Sequence, residues 1–104
     1  MSTKINVIIR GQSTVEAPCV FKTVILKSGI SFKDQVLQED TKYVVKWDYD
    51  LKGELINIPS GCIFHFDGGK LKNGSIHWNT TKIFNPYQYA ILENITESGD
   101  KIIL

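Results

Sequence analysis

The sequence predicts an all-β fold, short strands and tight turns forming β-helix-like coils or a small sandwich that oligomerisation completes. Three observations point there. Runs rich in Val, Ile, Thr, Tyr, Phe and Trp alternate at short intervals with Gly, Pro, Asn and Asp, the signature of strands and turns. Helical periodicity is almost absent. A weak repeat lies in the middle, where Leu51-Lys52-Gly53-Glu54-Leu55 can be laid over Leu71-Lys72-Asn73-Gly74-Ser75-Ile76. The offset is 20 residues between Leu51 and Leu71, and 21 between Gly53 and Gly74. A period near 20 with Gly and Asn at the corners suits the coil of a parallel β-helix; a hairpin meander gives similar spacing.

The elements follow in order. Lys4–Arg10 reads as a strand, Gly11–Pro18 as a loop, and Cys19–Lys27 as a second strand carried by Val20, Thr23 and Ile25. Ser28-Gly29 is a turn. Ser31–Asp40 is ambiguous: Ser31 is placed to cap a short helix, and Phe32, Val36 and Leu37 have roughly helical spacing, but an irregular segment fits equally. Lys42–Asp48 is a strand with Tyr43, Val45 and Trp47 on one face. Asp50–Gly53 turns the chain, Leu55–Ile58 is a strand that Pro59 ends, and Ser60-Gly61 turns again. Cys62–Phe66 is a strand with Cys62, Phe64 and Phe66 on one face. Gly68-Gly69 and Asn73-Gly74 mark further turns. Ile76–Trp78 and Lys82–Phe84 are short strands, Tyr87–Leu92 is a strand candidate, and Glu97-Ser98-Gly99-Asp100 is a polar turn before Lys101–Leu104. Gly53, Pro59, Gly61, Gly68, Gly69, Asn73 and Gly74 are therefore read as structural turn residues.

Length and charge bound the function. A chain of 104 residues suits one domain with a thin core, so partner chains are expected to complete it. The net charge of +1, scattered without blocks, supplies no electrostatic reason for nucleic-acid or membrane-surface binding. No apolar run approaches the ~20 residues of a transmembrane helix. Ile5–Ile9 is too short for the core of a secretory signal and Asn6 interrupts it, so synthesis in a cytoplasm is expected. The sequons at Asn73, Asn79 and Asn94 are then read as turn and strand chemistry. Cys19 and Cys62 form no C-x-x-C pair, and with only His65 and His77 beside them no zinc set is expected; both read as small buried apolar residues.

No catalytic constellation is expected. Asp48, Asp50, Glu54 and Asp67 suggest the paired carboxylates of glycoside hydrolysis, but Asp50 and Asp67 stand beside turn residues, where Asp caps local backbone. His65 alternates with Phe64 and Phe66, so it points away from their face. No phosphate-binding loop or nucleophile motif is present. The chain is thus expected to be no enzyme and to carry no cofactor and no metal. Trp47, Tyr49, Trp78, Tyr87 and Tyr89 are candidate interface or glycan contacts, since Trp and Tyr are enriched at binding hot spots. Alternation with Tyr43 gives Trp47 and Tyr49 a core reading as well. Leu104 closes the apolar Ile102-Ile103-Leu104, expected to pack into a partner or onto the core.

One stretch is familiar. Phe32-Lys33-Asp34-Gln35-Val36-Leu37 leads into Thr41-Lys42-Tyr43-Val44-Val45-Lys46-Trp47-Asp48-Tyr49-Asp50-Leu51, then Gly53 and Ile56-Asn57-Ile58-Pro59-Ser60-Gly61-Cys62. Phe66-Asp67-Gly68-Gly69-Lys70-Leu71-Lys72-Asn73-Gly74-Ser75-Ile76 and Asn79-Thr80-Thr81-Lys82-Ile83 follow. This resembles a β-helix-type module in virion proteins, tail spikes and fibres, of Bacteroidota bacteriophages, including crAss-like phages. The resemblance covers roughly residues 30–84. It places the module in 31–84; length and strand pattern add N-terminal strands in 1–30 and C-terminal strands or an arm in 85–104, a single all-β domain over 1–104. It also implies a virion structural role: a head fibre, capsid decoration or fibre adaptor, made in the cytoplasm of a bacterial host. The expected partners are copies of itself (a homotrimer is favoured), other virion proteins and possible host surface glycans, with no nucleic acid and no membrane. The alternative is a carbohydrate-binding module that attaches a particle or enzyme to glycans.

Overall fold

The computed structural model describes residues 22–104. The strand expected at Lys4–Arg10, the loop Gly11–Pro18, Cys19 and the first residues of the Cys19–Lys27 strand lie outside the described residues. Within them the fold is all-β, and every strand pairing is parallel. Parallel neighbours cannot be joined by a hairpin, so the chain must travel around and return one layer on. The result is a β-solenoid, which excludes the meander and sandwich readings. Paired residues stand 19 to 22 positions apart, as in Lys22↔Thr41 and Tyr49↔Leu71.

Three walls build the solenoid. The first stacks β1 (Lys22–Ile25), β2 (Thr41–Val45), β5 (Ile63–Phe66), the end of β6 (Leu71–Phe84) and the end of β7 (Leu92–Ile103). The second stacks β3 (Tyr49–Asp50) on the starts of β6 and β7. The third stacks β4 (Leu55–Asn57) on their middles. β6 and β7 therefore run through corners that the sequence marks as turns. Asn73 and Thr80 bend β6 with φ of 61° and 51°, and Gly99 bends β7 with φ of 83°. Strand pairing thus passes through Asn73-Gly74 and Glu97–Asp100 rather than stopping at separate turns. Tyr87–Ile91, expected within a strand, is instead connecting chain.

The repeat is real, but its register differs from the leucine match. Tyr49, not Leu51, pairs with Leu71. Four residues, Leu51–Glu54, fill a corner that Asn73-Gly74 fills with two one layer on. The longer corner closes on itself, the Glu54 N–H donating to Leu51 O at 3.0 Å.

Alternation decides what the walls bury. Val24, Tyr43, Phe64 and Ile83 stack in register inward. Beside them Thr41, Cys62 and Thr81 each stand one residue before the registered trio Lys42, Ile63 and Lys82, and all three are buried. Tyr49 and Leu71, then Ile56 and Ile76, fill the other walls. Phe64 is the hub, with ring centroids 5.5 Å from Tyr43, 5.9 Å from Phe32 and 6.0 Å from Trp78.

The ambiguous segment is a single helical turn, α1 (Phe32–Gln35), which drops Phe32 onto the core. Ser31 makes no side-chain cap; the segment is tied instead by Gln35, whose amide donates to Ile30 O at 2.9 Å and whose oxygen accepts the Lys27 N–H at 2.7 Å. Of the other two residues, Val36 is buried and Leu37 exposed. An asparagine ladder holds one corner: Asn94 Nδ2 donates to Asn73 Oδ1 at 3.1 Å, and Asn73 Nδ2 to Asp50 Oδ2 at 3.2 Å. Asn tolerates the left-handed backbone there better than most residues.

Candidate functional site

The outward positions of the first wall form one continuous stripe. Ile25 pairs with Val44, Val44 with His65, and His65 with Phe84. Leu104 extends the row, its N–H donating to Ile83 O at 2.9 Å. Parallel in-register stacking places like positions above one another, so a short β-pattern repeated every coil becomes a band. Val44 is covered by its neighbours, while Ile25, Phe84 and Leu104 are 57%, 38% and 63% exposed. The His65 and Phe84 rings meet in a tilted contact, 4.9 Å between centroids and 50° between planes. The adjoining outward row is Thr23, Lys42, Ile63, Lys82 and Ile102, so lysines alternate with isoleucines beside the stripe.

The second surface is the layer formed by β7. Glu97 pairs with Ile76, a core position, and Lys101 pairs with the buried Thr81. The carboxylate accepts from Trp78 Nε1 at 2.9 Å and forms an ion pair with Lys101, whose ammonium stands 5.8 Å from the centre of the Trp78 ring. Burial alone would raise the Glu97 pKa, but the hydrogen bonds from Lys101 and Trp78 and the Lys101 charge outweigh it and hold the carboxyl below its ordinary range. Leu92 and Ile95 are half-buried in this layer and Ile103 is exposed.

The aromatic candidates divide. Tyr49 and Trp78 are 5% and 2% exposed, which corrects their reading as surface contacts and, for Tyr49, bears out its core reading: their rings face the solenoid interior. The Tyr49 hydroxyl donates to Lys27 O at 2.8 Å, and burial raises its pKa. Trp47 is 50% exposed, which corrects its core reading: β2 ends at Val45, so strand alternation no longer sets its direction. Tyr87 is exposed. The Tyr89 hydroxyl donates to Gly69 O at 2.6 Å and accepts the Gly68 N–H at 2.8 Å, strapping one corner to the next. Ile102, Ile103 and Leu104 do not pack onto the core; all are exposed.

The turn residues sit at corners or beside them. Gly53, Gly61 and Gly68 have positive φ, Pro59 follows β4, and Gly74 sits against Leu51. At Gly69 the backbone of the neighbouring layer approaches closely: a Cβ there would stand 2.5 Å from the Trp47 nitrogen and 2.7 Å from its carbonyl carbon.

The carboxylates are dispersed. Asp50 Oδ1 accepts the Lys52 N–H at 2.8 Å, as its turn position implies, and that bond followed by the one from Asn73 lowers its pKa. Asp67 lies 3.5 Å from Lys46, and Glu54 pairs with Lys33 at 2.7 Å. Between α1 and the Asp50–Glu54 corner lies a cleft of about 160 Å³, below the ~300 Å³ typical of a drug-sized ligand. Cys62 is buried, its thiol pKa raised by that burial, and its Sγ lies 3.2 Å from Gln38 O. Among the described residues no group of three or more His, Cys, Asp or Glu side chains is placed to hold a metal, and no helix is long and apolar enough to cross a membrane.

Sequence reasoning missed Ile25, Phe84, Glu97 and Lys101 as surface-determining residues. The signal was present: the period near 20 applied to outward positions as well as to corners. No family model matches the chain, and no curated protein or solved structure matches it either.

Proposed function

We propose that this chain is a structural subunit of a bacteriophage particle, a head fibre, capsid decoration or fibre adaptor, that assembles as a homo-oligomer, in the favoured case a trimer. The observation that carries the assembly reading is the outward stripe Ile25–Val44–His65–Phe84–Leu104. The stripe exposes apolar side chains at Ile25, Phe84 and Leu104, and exposed apolar surface on a small domain is a mark of an interaction site. The stripe runs along the solenoid across the five tiers that the described residues give the first wall, so copies related by an axis parallel to the solenoid can bring their stripes together. The resemblance across residues 30–84 supports the virion setting, with other virion proteins as further partners.

Sedimentation equilibrium should give a mass of three chains or a multiple of three. Phe84→Asp should divide that mass by three while leaving the far-ultraviolet spectrum intact. The protein should also be detected in purified particles by mass spectrometry. A wild-type monomer at high concentration, together with absence from particles, would overturn the reading.

A second reading, a carbohydrate-binding module, is favoured by one feature. Trp47 and Tyr87 are both exposed and both lie on connections between the first and second walls. Glycan-array binding abolished by Trp47→Ala would support it; Trp78 is no test, because it is buried.

A further inference from the structure

We propose that a second copy of this chain docks on the β7 end of the solenoid, the two β7 strands pairing antiparallel about a two-fold axis at Gly99. β7 pairs with β6 on one side, and among the described residues no strand pairs with its other side. A strand edge presents unpaired N–H and C=O groups that template pairing with another chain. This edge is 12 residues long.

The side chains choose the occupant. Counting outward from Gly99, antiparallel self-pairing sets Glu97 opposite Lys101 of the second copy, and Ile95 opposite its Ile103. The two-fold makes each pair occur twice, as an isologous interface requires. All four positions belong to the core-facing set: they register with Ile76, Thr81, Gly74 and Ile83 in the layer above. Directly opposed residues of an antiparallel pair project to the same side, so both copies would close one shared interior. Opposite charges meet at the centre and apolar residues flank them, a pattern self-complementary in one register only. An unrelated partner would have no reason to match it. Ile103, 63% exposed in the single chain, would be covered. This surface is distinct from the lateral stripe and stands or falls separately.

The test uses charge reversal and mixing. Wild-type protein should sediment as an even number of chains, six where the lateral stripe also closes a ring of three. Lys101→Glu alone and Glu97→Lys alone each create two like-charge pairs, and each should weaken association by on the order of 100-fold or more. Mixed in equal amounts, the two single variants should recover the wild-type mass through mixed β7 contacts, because each brings the charge that the other lacks. A Glu97–Lys101 pair acting only within one chain gives no recovery on mixing, and that result would overturn the proposal. Ile103→Lys serves as a second probe: it changes an exposed side chain, so folding should persist while the even-numbered assembly is lost. An odd-numbered or monomeric wild type, or an even assembly unmoved by Lys101→Glu and Ile103→Lys, would also overturn it.

Discussion

Replacing Phe64 by Ala should remove a large part of the stability of this domain. Phe64 has no exposed surface and lies within 6.4 Å, centroid to centroid, of Phe32, Tyr43, Phe66 and Trp78. A Phe→Ala change in a closed core costs about 3–5 kcal/mol, the upper end applying where the walls cannot collapse. Here they cannot easily do so, because β5 is hydrogen-bonded between β2 and β6 and strand spacing holds the layers apart. The expected cost is therefore about 4–5 kcal/mol, against a total of roughly 5–12 kcal/mol for a chain of this size. At about 4–8 °C per kcal/mol, the midpoint should fall by about 16–40 °C. Phe64→Leu, which keeps most of the volume, should cost about 1–2 kcal/mol. His65→Ala, one residue along and facing outward, should cost under about 1 kcal/mol. Urea unfolding followed by tryptophan fluorescence, in which the buried Trp78 reports on the core, reads all three, at one fixed protein concentration because self-association would shift the apparent stability. A Phe64→Ala penalty below about 1.5 kcal/mol with an unchanged denaturant slope would refute the stacked-core argument.

Two further outcomes follow from the same geometry. Gly69→Ala should destabilise by about 3 kcal/mol or more, since its Cβ would meet Trp47 backbone and force apart two paired layers, whereas Gly53→Ala, opening into free space at φ 77°, should cost only the ~1–2 kcal/mol of a left-handed residue; chemical denaturation of the two variants should separate them clearly. Asp50, Glu93 and Glu97 all have lowered carboxyl pKa values, through the Lys52 N–H for Asp50, through Lys70 for Glu93, and for Glu97 through the Lys101 and Trp78 bonds that outweigh burial. A depressed folded value means stability that is full above the unfolded value and lost as pH falls through the folded one, so the thermal midpoint should be flat near neutrality and decline below about pH 4.5. Glu97→Gln should make that decline shallower.

The sequence by itself determined that the protein is β, which way the residues of its central strands alternate and that the chain turns roughly every twenty residues. Those properties are local: strand parity follows from the two-residue pleat, and Gly, Pro and Asn mark backbone that must bend. Cys62, Phe64 and Phe66 were legible as one buried face for this reason. Only the tertiary structure decided the register. Tyr49 lies on Leu71 because the Leu51–Glu54 corner is two residues longer than Asn73-Gly74, and nothing in either segment alone reveals which corner absorbs extra chain. Register in turn decided the surfaces. Trp47 sits outside and Trp78 inside because one follows the end of a strand and the other lies in the middle of a coil, although both are Trp among β-formers. Ile25, Val44, His65 and Phe84 become one stripe, and Glu97 and Lys101 occupy core positions, only when successive coils are superposed, since these residues are 19 to 21 apart along the chain and meet only across the parallel ladder.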